Sequence, residues 1–310
     1  MAASEARASE ARASEARASE ARASEQAPPA ALPRSVGVLG GGRMGAGIAH
    51  AFVVSGCRVS IVERDADAVD GASLRVRASL EASVARGHDP HGFGAFTVST
   101  DPASLADSEL VVEAVPEQFA LKAAALRRVE AVLSDTAALA SNTSSLSIDA
   151  LGAELERPQR FLGLHFFNPV PASELVEIVL GTATDAALTQ AALGWVEAIG
   201  KTAVTVHDSP GFASSRLGVA LGLEAIRMLE DGVASADDID AAMVLGYGHP
   251  VGPLRLTDIV GLDVRLGIAE YLHEQLGDRF EPPALLRRLV AEGRLGRKSG
   301  HGFYIWSEQR

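Results

Sequence analysis

From Val36 onward, apolar residues fall into short runs separated by stretches in which they recur every three or four positions. The runs at 36–39, 58–62, 96–99, 110–113, 137–141, 161–166, 175–180 and 203–206 read as strands. The stretches at 44–54, 67–86, 121–133 and 186–199 carry helical spacing. Strands alternating with helices predict a parallel, doubly wound sheet. The β pattern ends at His207-Asp-Ser-Pro-Gly211. Beyond it, 214–229, 236–243, 259–276 and 283–292 read as helices, and Ser235 with Asp238 gives the second a capping-box start. The expected division is a tail and linker over 1–33, an α/β domain over 34–208 and an all-helical domain over 209–310.

The tail has a different pattern. Residues 3–25 repeat Ala-Ser-Glu-Ala-Arg every five positions and have no apolar face, so they cannot bury a core, although Ala, Glu and Arg permit partial helix. There is no apolar stretch of the secretory kind, and a glutamate in every repeat argues against a transit peptide. Residues 26–33 are a Pro/Ala linker. Residues 1–34 hold five Glu and five Arg, so the net charge of −12 sits on 35–310. That balance argues against nucleic acid as a partner and means that an anionic substrate must be caught by local basic groups. No apolar run is long enough to cross a bilayer. One cysteine, Cys57, excludes an internal disulfide framework and suits a reducing, cytoplasmic setting.

The first strand runs into glycines spaced G-x-G-x-x-G at Gly40, Gly42 and Gly45, and a helix follows. The first permits the tight turn, the second lets a pyrophosphate approach the backbone, and the third lets helix and strand pack closely. Free amides at the helix start then face the phosphates. The second strand ends in Glu63, placed to accept both ribose hydroxyls of NAD. Arg64 beside it could meet a 2′-phosphate, which leaves NADP open, but Glu63 would repel that group and NAD is favoured. The fold class is therefore α/β, a Rossmann-type sheet followed by an all-α C-terminal domain.

Three polar clusters fall at the ends of later strands, where open α/β sheets bind ligands. They are Ser141-Asn-Thr-Ser-Ser145, Gly163-Leu-His-Phe-Phe-Asn-Pro169, and Glu177 within an apolar strand. A buried carboxylate needs a partner, and His165 on the neighbouring strand is the nearest. Neutral histidine can take the hydroxyl proton as an alcohol is oxidised, while a carboxylate on its far nitrogen fixes the tautomer. Ser144 could hold the reacting oxygen. No metal ligand set is assigned.

The pieces GGGRMGAGIA, VVEAVPE, SNTSSLSI, GLHFFNPVP, LVEIV, SPGF, EDGVAS, GHPVGPLRLTD, GLD and GRKSGHGFY make the chain resemble the L-3-hydroxyacyl-CoA dehydrogenases, over roughly 36–306. The resemblance implies His165 as catalytic base, Glu177 as its orienter and Ser144 as a substrate contact. It implies NAD contacts at Gly40, Gly41, Gly42, Arg43, Met44, Gly45, Glu63, Glu117, Lys122, Ser144, Asn168 and Lys298. It also implies acyl-CoA contacts at Ser79 and Arg86. The apolar surface of the helical domain could serve a homodimer interface. The family usually reads P-G-F-x-x-N-R with an active-site asparagine; this chain carries Ser215 there, shorter and without the amide donor. The expected activity is NAD-dependent interconversion of a 3-hydroxyacyl-CoA and its 3-oxoacyl-CoA. A dehydrogenase of a free hydroxy acid, such as a sugar acid, would share His165 and Glu177 but need no coenzyme A groove. A non-catalytic nucleotide sensor would need neither residue.

Overall fold

The computed structural model describes residues 32–306, so the expectations for the repeat tail and most of the linker lie outside the described residues. An eight-stranded sheet has the order β3-β2-β1-β4-β5-β6-β7-β8, formed by Ser35–Leu39 (β1), Arg58–Val62 (β2), Phe96–Ser99 (β3), Leu110–Glu113 (β4), Ala138–Ser141 (β5), Phe161–Phe166 (β6), Leu175–Leu180 (β7) and Thr202–His207 (β8). The helices that cover it are Arg43–Val54 (α1), Ala66–Ala85 (α2), Phe119–Glu130 (α3), Ile148–Gly152 (α4) and Ala186–Ala198 (α5). The order reverses direction beside β1, which opens a crevice at the carboxyl ends of β1 and β4.

Alternation along each strand divides the core between the two faces of the sheet. Val36, Val38, Leu110, Val112, Leu164 and Phe166 pack with α1 and α5 around Phe52 and Trp195. Val111, Leu139 and Val179 pack on the other face with Leu126 of α3 and Leu151 of α4. Alternation turns Gly37 toward that second face, where a Cβ would come within 2.7 Å of Val111 and only glycine fits.

Two expectations need correction. The sheet is not wholly parallel, since β6 and β7 pair antiparallel. Only residues 167–174 join these strands, and a parallel crossover needs a dozen or more residues. The helix read over 259–276 is two helices, Pro253–Val260 (α8) and Leu262–Leu276 (α9). Gly261, at φ +108°, breaks them apart. Apolar spacing runs through that glycine, which is why the break was hidden. The short α4 also went unread.

The C-terminal part is built from the helices Ser214–Glu230 (α6), Ala236–Tyr247 (α7), α8, α9 and Ala284–Ala291 (α10), with two isolated antiparallel bridges, Gly296 to His301 and His301 to Ile305, near its end. Its core is a separate cluster that includes Leu223, Ile226, Leu254, Leu262, Leu272 and Leu286. Asp258, fully buried at the end of α8, accepts from the Phe303 and Tyr304 amides and from Trp306 Nε1, which ties the C-terminal segment to α8.

Candidate active site

The glycine turn forms as its spacing requires. Gly40 has φ +92°, and a Cβ at Gly45 would sit 1.7 Å from the Gly40 carbonyl oxygen. A Cβ at Gly42 would meet no atom within 4 Å, so this face of the turn is open. Gly42 is the N-cap of α1 and no side chain caps the helix, which leaves its first amides to a ligand. Glu63 Oε1 accepts from the Gly41 amide at 2.6 Å, so the acid at the end of β2 also braces the turn. An open turn, uncapped amides and a carboxylate at the end of the next strand suit a dinucleotide.

His165 and Glu177 are direct cross-strand partners in the antiparallel β6–β7 register. Such partners project to the same face, which explains why the acid interrupts an apolar strand. His165 Nδ1 lies 2.8 Å from Glu177 Oε2, with both residues buried. Glu177 has three further donors: the Ala213 and Ser214 amides reach Oε1 at 3.1 and 2.8 Å, and Ser214 Oγ reaches Oε2 at 2.5 Å. Burial alone would raise this carboxyl, but the hydrogen bonds from His165 and Ser214 outweigh it and hold the group below its ordinary value. An ionised Glu177 requires the proton of neutral His165 on Nδ1. The lone pair on Nε2 then faces away from the acid.

The turn before α6 aims those amides. Phe212 has φ +52°, unusual for a bulky residue, and is buried with its ring centroid 5.9 Å from that of His165. The Phe167 ring lies 4.3 Å from His165 on the other strand-end loop.

Ser144 is set by a second buried network. Lys122, fully buried, pairs with Glu113 at 2.8 Å and with Glu117 at 3.3 Å. Glu113 also accepts from Ser141 Oγ and the Val115 amide, both at 2.6 Å. Glu117 Oε1 accepts from Thr143 Oγ1 at 2.6 Å and from the Ser144 amide at 2.9 Å. Burial opposes the Glu117 charge, but Lys122, Thr143 and Ser144 outweigh it and keep its carboxyl below the usual range. Asn142 Oδ1 accepts from the Phe166 amide at 2.8 Å and so fastens this loop to the end of β6.

One cleft of about 1810 Å³ joins these pieces. Gly40, Gly42, Arg43, Met44, Glu63, Glu117, Ser144, His165, Asn168, Ser215 and Lys298 line it, and α8 and α9 form its far wall. Among the expected residues, Gly41, Gly45, Lys122 and Glu177 lie behind the lining. Lys298 Nζ is held 2.5 Å from Asp263 Oδ1. Ser79 and Arg86 are outside this cleft. They lie in and just after the second half of α2, whose first half supplies Asp67, Ala68, Gly71 and Arg75 to the cleft. There Arg86 Nη2 donates to Ser83 Oγ at 3.2 Å. Ser214, Glu113 and Arg265 were missed in the sequence, and Thr143 stood there only as a member of the Ser141–Ser145 cluster. Glu113 carries the signal that singled out Glu177, an acid within an apolar run.

A doubly wound sheet with an open glycine turn and a helical second half is the architecture of a nicotinamide-dependent dehydrogenase. Two family models match the chain: the 3-hydroxyacyl-CoA dehydrogenase NAD binding domain over residues 35–209 and the C-terminal domain of the same family over 211–306. A 3-hydroxybutyryl-CoA dehydrogenase of Mycobacterium tuberculosis is 42% identical over 279 residues, which are 87% of this chain and 98% of the relative. The mitochondrial hydroxyacyl-coenzyme A dehydrogenase of Homo sapiens is 38% identical over 285 residues, 87% of this chain and 90% of that protein. The crystal structure of an (S)-3-hydroxybutyryl-CoA dehydrogenase from Ralstonia eutropha superposes with a TM-score of 0.85 at 37% identity, covering 89% of this chain and all of that one. The chain belongs to the 3-hydroxyacyl-CoA dehydrogenase family and is an NAD-dependent oxidoreductase.

Proposed function

We propose that the protein interconverts (S)-3-hydroxyacyl-CoA and 3-oxoacyl-CoA, with His165 as the general base, Glu177 as its orienter and Ser144 on the reacting oxygen. NAD, when bound, takes the hydride from the carbinol carbon or returns it as NADH. Gly40 to Gly45 would hold its pyrophosphate and Glu63 its ribose, with Asn168 and Lys298 as further contacts from the cleft lining. His165 Nε2 accepts the hydroxyl proton as the carbonyl forms, and Glu177 stabilises the resulting imidazolium. In the reverse direction His165 returns that proton to the developing alkoxide. Such general-base help contributes about 10²–10⁴ in rate.

The observation that carries this reading is the 2.8 Å contact of His165 Nδ1 with Glu177, which leaves Nε2 to the substrate side. Lys122 acts from below, through Glu117, on the loop that carries Ser144. Ser79 and Arg86 are assigned to the coenzyme A part of the substrate, outside the cleft. We also place the division between the two domains at 208/209. A homodimer is supported by apolar side chains exposed on the helical half, among them Leu217, Leu245 and Tyr247. A cytoplasmic setting is supported by the buried free thiol of Cys57. Among the described residues no helix is long and apolar enough to cross a membrane.

The test follows NADH oxidation with acetoacetyl-CoA, then with free 3-oxo acids and with NADPH. Reduction of the thioester with NADH is expected, and His165→Gln should keep NAD affinity while losing about 10²–10⁴ in kcat. Turnover of free acids alone would replace the thioester reading, and a fully active His165→Gln would remove the base.

A further inference from the structure

Arg265 is a buried cation with no counter-charge. It lies in the first turn of α9, is 8% exposed, and lines the cleft that His165 and Ser215 also line. Among the described residues no hydrogen bond or ion pair engages its guanidinium, and Nε is wholly enclosed without a partner. Burial draws its pKa down from 12.5 to about 10, and no carboxylate opposes the fall. The group is nonetheless charged at neutral pH. Burying an unpaired charge is costly, so an anion that completed the pair would be held strongly.

The guanidinium rests over Gly218, where a Cβ would lie 3.1 Å from Nη1. Gly218 is one turn of α6 beyond Ser214, whose hydroxyl and amide hold Glu177. The arginine therefore stands on the side of the cleft where the acid–base pair is anchored. It lines the same cleft as the glycine turn that suits the cofactor phosphates, without touching that turn. The wall around it is apolar, with Leu256, Ile259, Val264 and Ile268. An apolar wall with one buried cation fits a short methylene chain ending in an acid. A planar fork of donors matches a carboxylate bidentately.

We propose that Arg265 selects 3-hydroxyacyl and 3-oxoacyl thioesters whose acyl chain ends in a free carboxylate. This rests on the dehydrogenase reading above and specifies its substrate class. The net charge is −12, so a carboxylate-bearing acyl group has no general field to draw it in and depends on local cations, of which Arg265 is the buried one among those lining the cleft. Ser215, shorter than the asparagine usual at its place in the family, lines the same cleft three residues before Gly218.

The experiment compares kcat/KM for 3-oxoadipyl-CoA and 3-oxohexanoyl-CoA, six-carbon chains that differ in the terminal carboxylate, with NADH saturating. The wild-type protein should favour the carboxylated chain by about 10- to 100-fold, the contribution of a charge-assisted pair. Arg265→Leu should lose or reverse that preference with the KM for NADH within about twofold, and Arg265→Lys should retain part of it. An equal wild-type rate on both chains overturns the proposal whether or not the variants fold. So does an Arg265→Leu variant with an unchanged ratio and a raised KM for NADH, which would make the arginine a cofactor contact. If the wild type reduces neither thioester while still binding NADH, the dehydrogenase reading fails and this proposal with it. Efficient reduction of 3-oxohexanoyl-CoA alone sinks only the proposal.

Discussion

Ser214 and His165 meet on a single oxygen atom. Glu177 Oε2 accepts from Ser214 Oγ at 2.5 Å and from His165 Nδ1 at 2.8 Å, while Oε1 takes the two backbone amides at the start of α6. The orientation of the imidazole therefore depends on where the helical half begins as well as on the sheet. The sheet brings His165 opposite Glu177, and α6 keeps the carboxylate from turning. Domain packing and acid–base geometry are one structure here.

Ser214→Ala should accordingly lower kcat without disturbing cofactor binding. A hydrogen bond to a charged group contributes about 1.5–3 kcal/mol, so the loss should be roughly tenfold or more. The KM for NAD should stay within about twofold, because the serine bonds Glu177 and not the glycine turn. Ser214→Thr, which keeps the hydroxyl, should recover most of the rate. Steady-state kinetics on the three proteins decides the matter, and equal kcat values would mean that the two amides suffice to fix Glu177.

Glu63 braces the glycine turn in the structure and is proposed to hold the ribose, and a pair of substitutions can separate the two roles. Its Oε1 accepts from the Gly41 amide at 2.6 Å. Glu63→Ala should weaken NAD binding by about tenfold or more, since it removes a charged acceptor. Glu63→Gln keeps an acceptor for the Gly41 amide but loses the negative charge, and it should bind NADP better relative to NAD than wild type does. Fluorescence titration with each nucleotide reads both effects. An unchanged NAD affinity in Glu63→Ala would show that the carboxylate does not hold the ribose.

Lys122 is fully buried between Glu113 and Glu117, so its removal should cost stability before it costs chemistry. Breaking a buried pair by deleting one partner costs about 3–5 kcal/mol, because the charges left behind are unsolvated. Lys122→Met should show that loss in urea unfolding, with a raised KM for substrate as the Ser144 loop loosens. The double variant Lys122→Met with Glu113→Leu should be more stable than the single variant, since it no longer buries the unpaired Glu113 charge. A single variant as stable as wild type would mean that the two ion pairs of Lys122 contribute nothing net to stability.

The sequence revealed the sheet and its crevice because they depend on short-range signals. Apolar runs of four to six residues, a glycine turn and an acid closing the next strand each leave a local trace. His165 and Glu177 were legible for the same reason, since an acid inside Leu175–Leu180 breaks the pattern of its strand. Ser214 was not, because nothing local separates it from the adjacent Ser215; only the approach of α6 to β7 decides which hydroxyl reaches the acid. Arg265 was hidden within a stretch read as one helix, where a charge normally faces solvent. The turn at Gly261 rotates that segment inward, and a backbone break of this kind has no apolar signature.

His50 gives the fold a pH response separate from the active site. It is buried on α1 with Nε2 2.8 Å from Ser83 Oγ. Burial first, then the positive charges of Arg86, His88 and Lys201, lower its pKa from 6.5 to about 4. The unfolded chain binds a proton at this residue below pH 6.5, whereas the folded protein resists until about 4. Stability from this group is therefore complete above 6.5, declines as pH falls between those values, and has gone below them. The carboxyls of Glu117 and Glu177 are held under their ordinary 4.5, so their contribution is lost only below that point. Between pH 6.5 and about 4.5 the decline should therefore be carried by histidine. His50→Gln, which keeps a polar contact to Ser83 but cannot titrate, should flatten the melting temperature across that window while leaving the steeper fall below it. Parallel wild-type and variant curves from differential scanning fluorimetry would show that His50 is not held neutral.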